Sequence, residues 1–239
     1  MKTSNKILTT FLSIIAIYFL VFALDLRILG EHRSNKKGPE YEIYRIEISD
    51  FKYVKLENVK NLTITPALNN SSYVEIRYLS DTSKREYLSQ SMLDEFQPTF
   101  YGDTIFLSKQ VDSQPHFGNV TVFIPDSTSG IIATNSSFRL LAFHTGDLDL
   151  ILDNSQLNGS GISLIDRLNI VATDNSNVNA HDRYLIDTLN LSLENSSANF
   201  NKPIKQLSAT VDSKSNLNLA QVDDIRIKKE KGSKVYFRE

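Results

Sequence analysis

The chain contains no cysteine and no tryptophan. Without cysteine there can be no disulfide, thiol nucleophile or cysteine-ligated metal. The compartment stays open, because an exported protein need not carry disulfides. Without tryptophan, large apolar volume falls to 13 Phe and 10 Tyr. An excess of either charge is also missing: 26 Lys and Arg stand against 28 Asp and Glu, a net charge of -2. Nucleic acid is therefore not expected as a partner. There is no glycine-rich phosphate loop and no basic stretch interleaved with aromatics.

Long uncharged apolar runs are absent too, with one exception. Ile7 to Leu24 is 18 residues without a charge, preceded by Lys2 and Lys6. As a helix it would rise roughly 27 Å at about 1.5 Å per residue, nearly the thickness of the hydrocarbon core. A cleaved signal peptide and a buried core helix are the alternatives. The end of the run, Phe22-Ala23-Leu24-Asp25, offers no small-x-small cleavage site, and no cysteine is present for a lipid anchor. Residues 1–29 are expected to be an N-terminal tail and transmembrane anchor. Lys2 and Lys6 favour a cytoplasmic N-terminus, whereas Arg27, Arg33, Lys36 and Lys37 pull the other way, partly offset by Asp25 and Glu31. A short tail before a large polar domain is the usual signal-anchor layout. The expectation is a single-pass membrane protein of a bacterium, its domain extracytoplasmic, in the periplasm or on the cell surface.

Residues 30–40, "GEHRSNKKGPE", are polar, charged and closed by Gly-Pro, and are expected to be a linker. From Tyr41 alternation takes over. "YEIYRIEI", "YVKLENV", "NLTIT", "YVEIRYL", "DTIFLSK" and "NVTVFIP" each place apolar or β-branched residues two apart, the strand period. One stretch differs. Ser83 is followed three residues later by Glu86, a capping-box pattern, and Tyr87, Leu88, Met92, Leu93 and Phe96 follow at helical spacing. A short helical insertion near 83–97 is expected, with a plain loop as the alternative.

The second half repeats. Aligned on serine, copies stand at Ser136, Ser155, Ser176, Ser196, Ser215 and Ser233, with gaps of 19, 21, 20, 19 and 18. Two residues after each serine come Phe138, Leu157, Val178, Ala198, Leu217 and Val235; four after come Leu140, Gly159, Ala180, Phe200, Leu219 and Phe237. Before the serines, alternate positions also recur: Leu148, Leu150, Leu152; Leu168, Ile170, Ala172; Leu189, Leu191, Leu193; Leu207, Ala209, Val211; Ile225, Ile227. A period near 20 marks a solenoid. Leucine-rich repeats share the length, but each unit here lacks their leucine framework and a helical half. A meander sandwich would not keep the strict polar step. The fold class expected is all-β, a single-stranded parallel β-helix with coils of about 20 residues over 41–239. In such a stack the apolar positions form inward columns, mixed sizes compensate one another, and Asn-Ser turns the corner. Asn154, Asn175 and Asn195 are placed to hydrogen-bond as a ladder.

These residues resemble the auto-transporter adhesin head domain, also called the head GIN domain. The resemblance runs from about Phe51 to Val235. It rests on the opening pair "FKYVKLENVKNLTITPA", the strand ending in proline in "NVTVFIPDSTSGI", and serial coils of apolar-x-apolar followed by a small polar step. Members often carry glycine and serine in that step; here it is mostly Asn-Ser, with Gly159, Ser160 and Gly161 nearest the usual form. The resemblance implies a right-handed β-helix on the cell envelope and supplies no catalytic residues.

Chemistry is sparse. His32, His116, His144 and His181 lie far apart with no metal-ligand spacing. "NGSGIS" lacks the spacing and strand-to-helix context of a nucleophile elbow. Two sets of carboxylates recur. Asp153, Asp174, Glu194 and Asp212 precede the corners, and Asp147, Asp166, Asp187 and Asp224 stand near the returns. Stacked in rows, they would either bind a divalent cation or glycan hydroxyls, or form a solvated face. The basic tail "RIKKEKGSK" reads as the terminal coil, its charges blunting an open edge. No catalytic, cofactor-binding or metal residue is assigned, and no cofactor is expected. Two functions stand: a non-enzymatic, membrane-anchored envelope solenoid for adhesion, scaffolding or surface interaction, and a carbohydrate-active β-helix enzyme of polysaccharide lyase or hydrolase type. Expected partners are the membrane, through the N-terminal helix, and envelope glycan or protein.

Overall fold

From Tyr41 the alternation becomes strand, because period-two apolar residues can bury one side of a sheet only in an extended backbone. The structure, a computed structural model, describes residues 18–19, 41–67, 72–79, 98–108, 117–125, 127–180 and 184–238. The chain divides into two compact units, Met1–Glu40 and Tyr41–Glu239. In the first unit only Tyr18 and Phe19 are described, and both are helical. The rest of the Ile7–Leu24 run, the linker 30–40 and the helical insertion expected at 83–97 lie outside the described residues. Among the described residues no helix is long and apolar enough to cross a membrane.

The second unit begins with β1 (Tyr41–Glu47), β2 (Tyr53–Glu57), β3 (Leu62–Pro66), β4 (Tyr73–Leu79), β5 (Thr99–Tyr101), β6 (Thr104–Ser108) and β7 (Phe117–Ile124). Six strand–corner–strand units follow. They are β8 (Gly130–Thr134) with β9 (Ser137–Leu141), β10 (His144–Asp153) with β11 (Gln156–Ser160), and β12 (Ser163–Thr173) with β13 (Asn177–Ala180). Then come β14 (Tyr184–Leu193) with β15 (Ser197–Phe200), β16 (Ile204–Val211) with β17 (Asn216–Leu219), and β18 (Val222–Lys229) with β19 (Lys234–Phe237). Two sheets form the walls. One runs β1-β4-β7-β3-β9-β11-β13-β15-β17-β19, and the other β18-β16-β14-β12-β10-β8-β2-β6-β5. The chain passes from the second wall to the first at every corner, so residues 130–237 make a β-solenoid of about five turns.

The expectation of one parallel helix over the whole of 41–239 is corrected at the N-terminal end. β1 pairs with β4 antiparallel, β4 with β7 antiparallel and β5 with β6 antiparallel. The Asn-Ser corners lead from the second wall into the first, and β3 is already in the first. β4, which follows Asn70-Ser71, joins that same wall antiparallel and buries Val74 and Ile76 against the end of the core. The stacking order also departs from chain order. β2–β3 sits between β6–β7 on one side and β8–β9 on the other.

The inward columns follow the repeat. Leu148, Leu168, Leu189, Leu207 and Ile225 are in register, as are Leu150, Ile170, Leu191, Ala209 and Ile227. On the other wall Phe138, Leu157, Val178, Ala198, Leu217 and Val235 form one file. All are buried except Ile225, Ile227 and Val235 of the final coil. Burial of each Leu, Ile, Val or Phe among the buried ones stabilises by about 1.5–3 kcal/mol. Volume compensation is visible at Gly159. A Cβ there would lie 2.7 Å from the ring of Tyr184, which fills the gap and donates a hydrogen bond to the Leu140 carbonyl at 3.0 Å.

The corners explain the recurring serine. Ser136, Ser155, Ser176, Ser196 and Ser215 are all buried. The Ser136 amide donates to Ser155 Oγ at 3.0 Å, the Ser155 amide to Ser176 Oγ at 3.1 Å, and the Ser196 amide to Ser215 Oγ at 3.0 Å. The Val59 amide begins the file by donating to Ser136 Oγ at 3.1 Å. Each hydroxyl then donates inside its own corner, Ser136 to Thr134 O, Ser155 to Asp153 O and Ser196 to Glu194 O. One side chain thereby satisfies two backbone groups that the turn strands in the interior.

Corner length governs that ladder. Where two residues separate the last inward column position (Ala133, Leu152, Leu193) from the serine, as at 134–135, 153–154 and 194–195, the serine amide bonds to the next coil. Where three do, as at 173–175, 212–214 and 230–232, the serine amide closes its own turn, Ser176 onto Thr173 O, Ser215 onto Asp212 O and Ser233 onto Glu230 O. Asn135, Asn154 and Asn195 take positive φ (49, 46 and 48), a region asparagine enters at lower cost than most residues. Of the expected ladder Asn154, Asn175, Asn195 one rung is present, Asn195 donating to Asn175 Oδ1 at 3.5 Å; Asn154 donates instead to Asn135 Oδ1 at 2.8 Å.

Candidate functional site

The two carboxylate rows expected from the repeat do not assemble. In the corner column Asp153 faces Thr173, and Glu194 and Asp212 follow. The extra residue of the 173–175 corner moves Asp174 out of file, with φ 51. Asp212 is occupied locally. It accepts hydrogen bonds from the Ser215 hydroxyl and from the Lys214 amide at 3.2 Å, and the Ser215 bond in particular holds its pKa below the usual carboxylate value. The second set splits. Asp147 and Asp224 belong to the column Asp147, Arg167, Thr188, Gln206, Asp224. Asp166 and Asp187 lie one position earlier, between pairs of unchanged offset, with Gly146 before them and Lys205 after them in the stack. Each set meets a cation: Asp147 lies 3.6 Å from Arg167, and Asp187 lies 2.8 Å from Lys205. Among the described residues no group of three or more His, Asp or Glu is arranged to hold a metal ion. His144 is exposed at the start of β10; His32, His116 and His181 lie outside the described residues.

What the repeat does assemble is a neutral amide face. Three residues after each corner serine, Arg139, Asn158, Asn179, Asn199, Asn218 and Tyr236 stand in register on the outer side of the first wall. The neighbouring outward column is Ser137, Gln156, Asn177, Ser197, Asn216 and Lys234. At a strand spacing of about 4.8 Å, the four asparagines of the first column span roughly 14 Å. They are half-buried between the columns on either side.

The two walls treat their asparagines differently. On the second wall, Asn169 donates to Asp149 Oδ1 at 2.6 Å and Asn190 to Asn169 Oδ1 at 2.8 Å, so that ladder closes on itself. On the first wall, among the described residues, the side-chain amides of Asn158, Asn179, Asn199 and Asn218 make no hydrogen bond, and Asn199 Oδ1 is fully buried without a partner. Ser160 Oγ, further along β11, is likewise buried and unpaired. A buried polar atom left unpaired costs about 1–3 kcal/mol. A shallow groove of about 300 Å³ opens beside the first asparagine, lined by Asn61, Thr63, Ser137, Arg139 and Asn158. A second, of about 340 Å³, continues along the corner past Asn135, Asn154 and Gln156.

The apolar residues at the second and fourth positions after the serine define the inward columns. The third position, between them, is therefore the outward one, and its four asparagines are the legible signal for this face.

No family model and no curated protein matches the chain. Solved structures do. A provisionally named adhesin from Parabacteroides distasonis aligns at 12% identity and TM-score 0.50, over 84% of this chain and 98% of that one. A provisionally named lipid-binding protein from the same species aligns at 9% and 0.49, over 84% and 97%. A provisionally named adhesin from Parabacteroides merdae aligns at 11% and 0.47, again over 84% and 97%. At such identities the likeness is one of fold.

Proposed function

We propose that the chain is a non-enzymatic surface-interaction module of the bacterial envelope, related to the adhesin head GIN domains. It is tethered to the membrane by residues 7–24, with the solenoid outside the cytoplasm and wound right-handed. Its ligand is a neutral, hydroxyl-rich envelope or surface glycan lying along the amide face. One observation carries this reading: among the described residues the in-register amides of Asn158, Asn179, Asn199 and Asn218 make no hydrogen bond, whereas on the opposite wall Asn169 and Asn190 bond along the stack to Asp149 and to one another. Amides offer both donors and acceptors, which suits hydroxyls better than it suits an ion. The provisional adhesin name of the Parabacteroides distasonis protein is consistent with it. A carbohydrate-active enzyme would need two or three carboxylates and a basic residue converging on one bond. The charged pairs Asp147–Arg167 and Asp187–Lys205 supply one carboxylate each.

The test is binding of the purified chain to arrays of neutral, acidic and basic polysaccharides, repeated with Asn179→Ala/Asn199→Ala. Neutral glycans should be retained by the wild type and lost by a variant of unchanged melting temperature. Equal binding by both would remove the amide face from the account.

A further inference from the structure

We propose that the groove at the β9 end of the amide face is an oxyanion subsite, which takes one carboxylate or phosphate substituent carried by the otherwise neutral glycan. The ligand rests on the amide-face reading; the site stands on the groove itself. An inserted residue shapes that groove. Glu57 pairs with Thr134, yet Leu62 pairs with Phe138, so the β2–β3 corner spans one residue more than the β8–β9 corner. Val59 holds the place of the corner serine, its amide donating to Ser136 Oγ and its carbonyl accepting from the Ser137 amide. The surplus therefore falls at Lys60 and Asn61, where Asn61 takes φ 58. The two grooves meet there, since Asn61 and Ser137 line both.

Charge in the grooves is of one sign, in a chain whose net charge is -2. Among the described residues their lining includes Lys60 and Arg139 and no Asp or Glu. The carboxylates that open the neighbouring corners, Glu57 and Asp153, end strands of the second wall and line neither groove. Arg45 and Arg77 meet Glu75, and Arg167 meets Asp147. Arg139 differs: it is exposed and, among the described residues, makes no hydrogen bond or ion pair. Its planar fork of donors is whole, and that fork matches paired oxygens of a carboxylate or phosphate.

The amides agree with the charge. On the second wall Asn190 donates to Asn169 and Asn169 to Asp149, so that ladder ends on a carboxylate. At the corner Asn154 donates to Asn135 Oδ1, and the Asn135 side-chain N–H groups have no acceptor among the described residues. This ladder ends on donors in the groove, where the other ends on an anion. Arg139 pairs in register with Asn158, one strand spacing of about 4.8 Å from the amide column. A chain lying along Asn158 to Asn218 thus brings its end, or a branch, over the guanidinium.

Two measurements test the site and its ligand separately. In the first, the full chain in non-ionic detergent is titrated with sodium phosphate or acetate against sodium chloride at matched ionic strength, read by proton–nitrogen NMR. Phosphate and acetate should shift the Arg139 Nε–H and Asn135 Nδ2 resonances saturably, and chloride should not. The Asn135 shift should vanish in Arg139→Ala. It should persist in Arg226→Ala, an equal loss of charge on the other wall, and in Asn179→Ala/Asn199→Ala, so failure of the amide face is told apart from failure of the subsite. The second measures retention of polysaccharides bearing sparse carboxylate or phosphate groups beside their uncharged parents. Wild type should hold the substituted form about ten-fold tighter. Arg139→Ala, at unchanged melting temperature, should hold both alike, and Arg139→Lys, a charge without the fork, should fall between. No saturable shift, or a preference that survives Arg139→Ala, overturns the subsite. A saturable shift with both polysaccharides held equally, or not at all, overturns the glycan as its source and leaves a site for free oxyanions.

Discussion

The ring of Tyr184, on one wall of the solenoid, occupies the volume that a side chain at Gly159, on the other wall, would need. The pair is a lock between walls. Its hydroxyl reaches the Leu140 carbonyl, and its burial raises the phenol pKa above the ordinary 10.0. Gly159→Ala is expected to lower stability by about 1–3 kcal/mol through overpacking. Urea unfolding measures it, and an unchanged midpoint would show that the ring moves freely.

Tyr184 also sets an alkaline limit. Its folded pKa lies above the unfolded value, so its contribution is complete below about pH 10 and is lost as pH rises beyond it. Tyr184→Phe should cost about 1 kcal/mol at neutral pH, from the lost hydrogen bond. It should also flatten stability above pH 10 relative to wild type. Guanidinium melts between pH 8 and pH 11 decide between the two profiles.

Ser155 serves two backbone groups, accepting from the Ser136 amide and donating to the Asp153 carbonyl. Ser155→Ala strands both in the interior and should cost roughly 1–3 kcal/mol. Ser233→Ala, at a half-buried corner, should cost far less. Similar losses from both would deny the buried ladder its structural role.

Leu191→Asp places a charge inside a core column between Ile170 and Ala209 and should abolish the cooperative melt, since an unpaired buried carboxylate is not tolerated. Asp174→Asn, on the exposed corner, should leave the melting temperature within error, with or without calcium. A calcium-dependent loss in that variant would restore a cation site to the corners.

Asp212 gives the acid side. Its folded pKa is depressed, chiefly by the Ser215 hydroxyl, so its contribution is present above the unfolded carboxylate value and lost as pH falls through the folded one. Asp212→Asn should therefore shrink the difference in stability between pH 5 and pH 2, read by thermal melts.

The inward columns were legible because a twenty-residue repeat of period-two apolar positions has few other ways to bury itself, and Leu150, Ile170 and Leu191 stack as their spacing implies. The strand partners at the N-terminal end were not. Alternation in "YVEIRYL" marks a strand but does not say whether its neighbour runs with or against it. The acidic row at the corners failed on a single residue, since nothing in "TDNS" against "LENS" announces that one corner holds three residues and the other two. The amide face was written at Asn158, Asn179, Asn199 and Asn218. Whether such amides bond to each other, as Asn169 and Asn190 do, is decided by side-chain geometry that a repeat does not encode.

The displaced order of the first coils bears on how the molecule is built. β2 and β3 are wedged between neighbours that emerge from synthesis much later, at residues 104–124 and 130–141. This early segment therefore cannot finish until distant chain has arrived, a slow step with a large loop to close. Beyond that point each new turn needs only the preceding one as its template, so assembly should run as a halting start followed by a zipper.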